Sequence, residues 1–250
     1  MMSYKIMLLV FLIIMLVPPC NAPAAPELDL RTLIREVEDQ YTGISSQALM
    51  RMQVRTEHWQ RSLKMEAWSL GRDRFLIRIL EPAKERDVAT LKSGREVWNY
   101  LPKVDRVIKI PPSMMGGAWM GSHITNNDLV KQSHIDQDYD FTLLSETDRF
   151  WRIEGQPKPD AAVVWGKIIY QVGKMDRVPQ RIAYFDEDMA LVREILFDQV
   201  QTIGSRRLPM RMVVQPVDKP QEQTILEYYR IEFDLPLRED FFSLRNLKRR

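Results

Sequence analysis

Cysteine is almost missing from this chain: Cys20 is the only one in 250 residues. It precedes the expected mature start, so the mature chain has none. That excludes disulfides, thiol catalysis and cysteine metal sites together. A cysteine-free chain suits an exported protein that avoids accidental oxidation, although disulfides are permitted outside the cytoplasm. Histidine is also scarce, with only His58, His123 and His134, and none falls in H-x-x-x-H or H-E-x-x-H spacing. His123 and His134 lie close in sequence to Asp128 and Asp136, a conceivable two-histidine, one-carboxylate set; the competing reading is of ordinary loop histidines. Glycine patterns for phosphate binding are absent, and so is a G-x-S-x-G nucleophile elbow. Acid pairs such as Glu187-Asp188 stand where turns are expected, and turns favour acids for structural reasons. The chain therefore reads as a non-enzyme with no cofactor.

An excess of one charge is lacking too. The formal net charge is +2, with 36 basic and 34 acidic residues, and Lys5 is the one basic residue before the expected cleavage site. No concentrated basic face of the kind nucleic acid requires is visible. The tail Arg245–Arg250 is basic; it reads as a solvated end, with a weak attraction to anionic lipid headgroups as its functional reading.

Only one long apolar run exists, Ile6 to Val17. Twelve residues cannot span a bilayer but match a signal-peptide core. Pro18-Pro19 ends the run and Ala22-Pro23-Ala24 offers a cleavage site. Residues 1–24 are expected to be a cleaved signal peptide and residues 25–250 one exported domain. Lipidation of Cys20 is the rival reading, disfavoured by Pro19 where a very small residue normally stands. An uncleaved anchor fits the short run poorly.

What is present is periodicity. Asp29 can cap a helix whose Leu30, Leu33, Ile34, Val37 and Tyr41 share one face, ended by Gly43. The period then drops to two: Ala48, Met50, Met52 and Val54 alternate with polar partners. Further strands are expected at 63–70, 75–80, 88–91, 96–101 and 104–110, then at 139–145, 150–154, 163–172, 177–186, 191–200, 208–215 and 224–233. Residues 125–131 read as a short helix capped by Thr125 or Asn126. Short turns join most strands, which implies an antiparallel meander. The fold class is mainly β with few helices (α+β): a strongly curved antiparallel sheet with a helix laid over it. A sheet of this size curls or closes, and its interior is either packed or holds a lipid-sized cavity.

The stretch from Val104 to Val130 stands out. It begins as a strand, breaks at Pro111-Pro112, and continues as Met114, Met115, Trp119 and Met120 set among Gly116, Gly117 and Gly121. Flexible thioethers on a glycine-jointed backbone suit a movable flap over an irregular apolar partner. The plainer reading is a plug at one end of a core. Trp98 and Tyr100, beside the flap, are candidates for the cavity wall, and Arg106 and Lys109 for contact with an anionic headgroup at its mouth. Aromatics and strand charges of this kind more often serve as core and solvated face.

Together, Glu81-Pro82-Ala83-Lys84, Trp98-Asn99-Tyr100-Leu101-Pro102, Arg106-Val107-Ile108-Lys109-Ile110 and Met114-Met115-Gly116-Gly117-Ala118-Trp119-Met120-Gly121-Ser122 resemble the bacterial outer-membrane lipoprotein-sorting protein family, of the periplasmic lipoprotein-carrier (LolA/LolB-like) superfamily. After Ser122 the family pattern runs Asp-Phe-Thr-Asn-Asp-Asp-Leu; here His123-Ile124-Thr125-Asn126-Asn127-Asp128-Leu129 stands. The resemblance implies an unclosed β-barrel covered by a helical lid. Its apolar cavity would take the acyl chains of a lipid or acylated lipoprotein and shuttle them between membranes or to a membrane transporter, as a monomer. Met114, Met115, Trp119 and Met120 would form the lid edge, and Trp119→Asp would abolish uptake with the fold intact. The alternative is a lipid- or lipoprotein-sensing module of the same fold without transfer.

Overall fold

The computed structural model describes residues 28–131 and 134–249; the expected signal peptide and Cys20 lie outside them. Helix α1 (Leu30–Glu38) opens the described chain. Asp29 caps it, accepting from the Thr32 N–H at 3.1 Å and from the Thr32 hydroxyl at 2.6 Å. Its Leu33, Ile34 and Val37 are buried, as their spacing predicts.

Six strands follow: β1 (Ser45–Arg55), β2 (Gln60–Leu70), β3 (Arg74–Glu81), β4 (Ala89–Ser93), β5 (Glu96–Leu101) and β6 (Arg106–Lys109). A long segment then carries helices α2 (Asn126–Lys131) and α3 (Ile135–Asp138). Seven more strands complete the sheet: β7 (Tyr139–Glu146), β8 (Phe150–Pro157), β9 (Lys167–Gly173), β10 (Pro179–Phe185), β11 (Leu191–Ile203), β12 (Arg206–Pro216) and β13 (Gln223–Phe233). A last turn of helix, α4 (Leu244–Leu247), lies near the C-terminus.

All thirteen strands form one antiparallel sheet in the order β6-β5-β4-β3-β2-β1-β13-β12-β11-β10-β9-β8-β7. It is two meanders, one running outward from β1 and one inward to β13, joined by the β1–β13 pairing. That pairing places Ala48 opposite Ile231 and Met52 opposite Leu226. The free edges are β6 and β7, and the segment expected to be a flap is the connection between them. The strap therefore runs from one edge of the open sheet to the other.

Strand β1 alternates as the sequence predicts, with Ala48, Met50, Met52 and Val54 buried. The inner side of the sheet holds two apolar clusters. One gathers Leu33, Ile34 and Val37 of α1 with Ile153, Ile168, Tyr170 and Val172. The other gathers Met50, Met52, Met65 and Met210 with Leu63, Trp119 and Leu208. A third cluster lies on the opposite side of β3–β5, where Phe242 and Leu247 from the C-terminal segment cover Leu76, Leu91 and Tyr100.

Candidate functional site

A cavity of about 290 Å³ lies at the seam of the two inner clusters. Helix α1 contributes Val37 and Glu38, and the strap contributes Trp119, Ile124 and Leu129. Ala48, Met50, Ala67, Ile77, Ile182, Ile195, Phe197, Met212 and Leu226 supply the sheet wall. The wall is mostly aliphatic, with a few polar groups placed among apolar ones, the usual make-up of a small-molecule site.

The polar groups are buried or half-buried, and held. Glu38 ends α1 and keeps some surface toward the cavity. Burial pushes its carboxyl up to about 7, against the opposing pull of the Tyr170 hydroxyl, which donates to it at 2.8 Å. Lys92 faces the cavity from β4, donating to the Arg72 carbonyl at 2.8 Å, and burial pushes its ammonium down to about 8. Arg72 joins α1 to α3, meeting Asp39 at 2.5 Å and Asp136 at 2.6 Å. Burial alone would raise the Asp136 carboxyl, but hydrogen bonds from Arg72 and Arg35 outweigh it and hold it below the usual range.

The strap is tied at many points. Thr125 caps α2, and the pair Thr125–Asp128 is reciprocal: the Thr125 N–H donates to Asp128 Oδ2 at 2.7 Å and the Asp128 N–H to Thr125 Oγ1 at 3.1 Å. Asn126 Nδ2 donates to the Gly117 carbonyl at 3.1 Å, and the Asn127 N–H to the Met115 carbonyl at 2.7 Å. Several bonds then fix the strap to the sheet. Arg193 of β11 grips Asp128 with two bonds of 2.7 Å, both residues being buried, and stacks at 4.5 Å over the Tyr184 ring. His123 meets Thr224 Oγ1 at 2.9 Å and Glu222 Oε2 at 2.9 Å. Arg61 donates to the Met120 carbonyl at 2.8 Å.

The residues singled out in the sequence separate. Trp119 is in the cavity wall, 3 % exposed, its Nε1 donating to Thr90 Oγ1 at 3.1 Å. Met120 packs against the methionine cluster, half-buried. Met115 is half-buried and Met114 is 59 % exposed; neither lines the cavity. Trp98 and Tyr100 face away from it, which corrects their expected place in the wall. On β5 they share the side covered by the C-terminal segment, while the cavity side carries Asn99, whose neighbour Thr90 receives Trp119. Both sides of β5 are covered, so apolar pattern alone could not orient it. Arg106 and Lys109 sit on the edge strand, exposed, with Lys109 paired to Glu96; they do not reach the cavity mouth. Burial also corrects the Trp119→Asp expectation, because a carboxylate there would have no solvent and would cost stability rather than uptake alone.

His123 and His134 do not meet over a common carboxylate. Asp128 belongs to Arg193, Asp136 to Arg35 and Arg72, and His134 lies 3.3 Å from Asp73. Among the described residues no group of three histidine or acid side chains could hold a metal ion. The residues sequence reasoning missed are Glu38, Lys92 and Arg193. For Arg193 the available signal was a charge in phase with the apolar Leu191, Ile195 and Phe197 of one strand face.

An open antiparallel sheet curled around an apolar cavity, with a helix and an edge-to-edge strap over it, is an unclosed β-barrel. Solved structures share this fold. The chain is similar to a domain described as an outer membrane lipoprotein-sorting protein from Vibrio parahaemolyticus, with 22% identity over 88% of this chain and 97% of that one and a TM-score of 0.74. It is similar to a DUF1329 family protein from Desulfovibrio piger, with 21% identity, 87% and 97% coverage and a TM-score of 0.77. It is also similar to a LolA superfamily protein from Nitrosomonas europaea, with 19% identity, 86% and 98% coverage and a TM-score of 0.71. At these identities the likeness establishes the fold. A family model whose description reads "-like: Uncharacterized protein" matches residues 71–249, and the chain belongs to that family. No curated protein matches the sequence.

Proposed function

We propose that the protein is a periplasmic carrier that takes an acyl chain of a lipid or acylated lipoprotein into its cavity and passes it between membranes or to a membrane transporter. The observation behind this reading is the cavity itself, mostly aliphatic and roofed by Trp119 on a strap that joins the sheet edges. A volume of about 290 Å³ lies at the lower end of small-molecule pockets, roughly 300–1,000 Å³, and suits one acyl chain of roughly ten carbons. At ~0.8 kcal/mol per buried methylene, such a chain gains about 8 kcal/mol before the costs of binding. That suits extraction followed by release. The protein acts as a monomer in this reading, since the strap and helix cover the cavity from within one chain.

Two measurements test it. Native mass spectrometry of protein purified without detergent is expected to show co-purified or added single-chain lipid bound one to one. Ala67→Trp fills the cavity from β2 without removing a core side chain. Lipid uptake is expected to fall at least tenfold while the thermal midpoint stays near that of the parent. Unchanged uptake in Ala67→Trp, or no uptake by the parent, would refute the assignment.

A further inference from the structure

Positive charge and exposed apolar surface coincide at the far edge of the sheet. The β5–β6 hairpin turns through Lys103-Val104-Asp105, and Val104 is 60 % exposed at its tip between exposed Lys103 and Arg106. Lys248 Nζ meets Asp105 Oδ1 at 3.0 Å, which brings the basic C-terminal turn against the hairpin. Arg78 donates to the Asn246 carbonyl at 2.7 Å and to the Arg249 carbonyl. Leu247 of α4 and Phe242 before it are buried against Leu76, Leu91 and Tyr100, so apolar packing sets the position of the turn and its charges are carried on a fixed platform. Arg245, Lys248 and Arg249 are exposed there, beside Leu244 at 45 %. The acids near these cations are engaged: Asp105 by Lys248, Glu96 by Lys109, with Asp87 and Glu66 acting on Arg78.

We propose that this surface docks the protein on an anionic membrane, with Val104 entering the headgroup layer and Lys103, Arg106, Lys248 and Arg249 meeting lipid phosphates. The pattern fits a lipid surface better than an acidic protein. The cations sit on long side chains spread around an apolar tip, as in interfacial membrane binders, and they enclose no groove for a peptide. Strand β6 runs straight into the strap, so the docked edge is the one from which the cavity roof springs. The inference is independent of what the cavity holds.

Co-sedimentation of the full protein with vesicles tests it. Binding is expected to phosphatidylcholine mixed with phosphatidylglycerol, little to phosphatidylcholine alone, and is lost as salt shortens the screening length to ~3 Å at 1 M. The double variant Lys103→Glu/Arg106→Glu is expected to weaken partition by at least roughly thirtyfold, since each basic residue contributes about fivefold. Val104→Ser weakens it roughly fivefold through lost apolar contact. Arg152→Glu, an exposed residue on β8, changes net charge on another part of the sheet and is expected to leave binding within about twofold. Far-UV circular dichroism confirms the fold of each variant. Three results would overturn the proposal: no vesicle binding even where an acidic protein is captured, equal binding to neutral vesicles, or a loss in Arg152→Glu as large as in the double variant.

Discussion

The two inner clusters are built from different side chains. The one under α1 is built from Ile153, Ile168, Val172, Ile182, Tyr139, Tyr170 and Tyr184. Branched side chains have little freedom about their first bond, and two of the tyrosines are tethered, Tyr139 to the Trp165 carbonyl at 2.8 Å and Tyr170 to Glu38 at 2.8 Å. The cluster under the strap is built from Met50, Met52, Met65 and Met210, with Met120 and Met212 packed against it. Methionine has three rotatable bonds and adapts to irregular partners. The cavity lies between them, so one wall is stiff and carries the polar anchor Glu38, while the other can reshape. A binding site made this way fixes where a ligand's end sits and lets the rest of the site fit its bulk.

The sharpest way to break the comparison is at the ionic bolt across the seam. Asp128→Ala leaves Arg193 buried without its partner and is expected to cost about 3–5 kcal/mol in urea unfolding. The double change Asp128→Asn/Arg193→Met is expected to recover much of that. A loss under about 1 kcal/mol for Asp128→Ala would mean the strap is not part of the cooperative fold. Next come matched truncations, each expected to cost roughly 2–5 kcal/mol. Ile168→Ala belongs near the top of that range, where stiff neighbours leave the void open. Met52→Ala belongs near the bottom, where thioethers collapse into it. Equal costs would erase the distinction between the walls.

A smaller effect sharpens the comparison through pH. Glu38 titrates near 7 in the fold and near its ordinary 4.5 when unfolded. Between those values the folded chain holds the extra proton, so stability falls as pH rises through this window. Glu38→Gln removes that slope. The variant is expected to match the parent at pH 5 and exceed it at pH 8 by at most about 3 kcal/mol, read from urea midpoints. A parent whose Glu38-dependent stability rises from pH 5 to pH 8 would contradict the buried, protonated carboxyl.

Much of this architecture was legible. Asp29 and the spacing of Leu33, Ile34 and Val37 located α1, and alternation located strands such as β1 and β9, where a buried face recurs with period two. What alternation cannot carry is partnership over distance. The pairing of β1 with β13, the grip of Arg193 on Asp128 and the covering of Tyr100 by Phe242 and Leu247 all join residues far apart in the chain. The site was accordingly half visible. Trp119, singled out from its methionine-glycine setting, does line the cavity, but Trp98 and Tyr100 face the other way, because a strand covered on both sides gives no sign of which side holds the cavity.

The pairing of first strand with last bears on how the molecule is made. Each meander assembles from neighbours, but the sheet becomes one only when β13 reaches β1. A chain that emerges amino-terminus first, from a ribosome or through a translocation pore, holds β1 as a bare edge throughout synthesis of the second meander. Bare edges recruit other strands, and late long-range closure is slow. This sequence therefore spends its most vulnerable interval with one edge of its central strand unpartnered, and substitutions that delay the arrival of β13 are expected to lower yield before they lower stability.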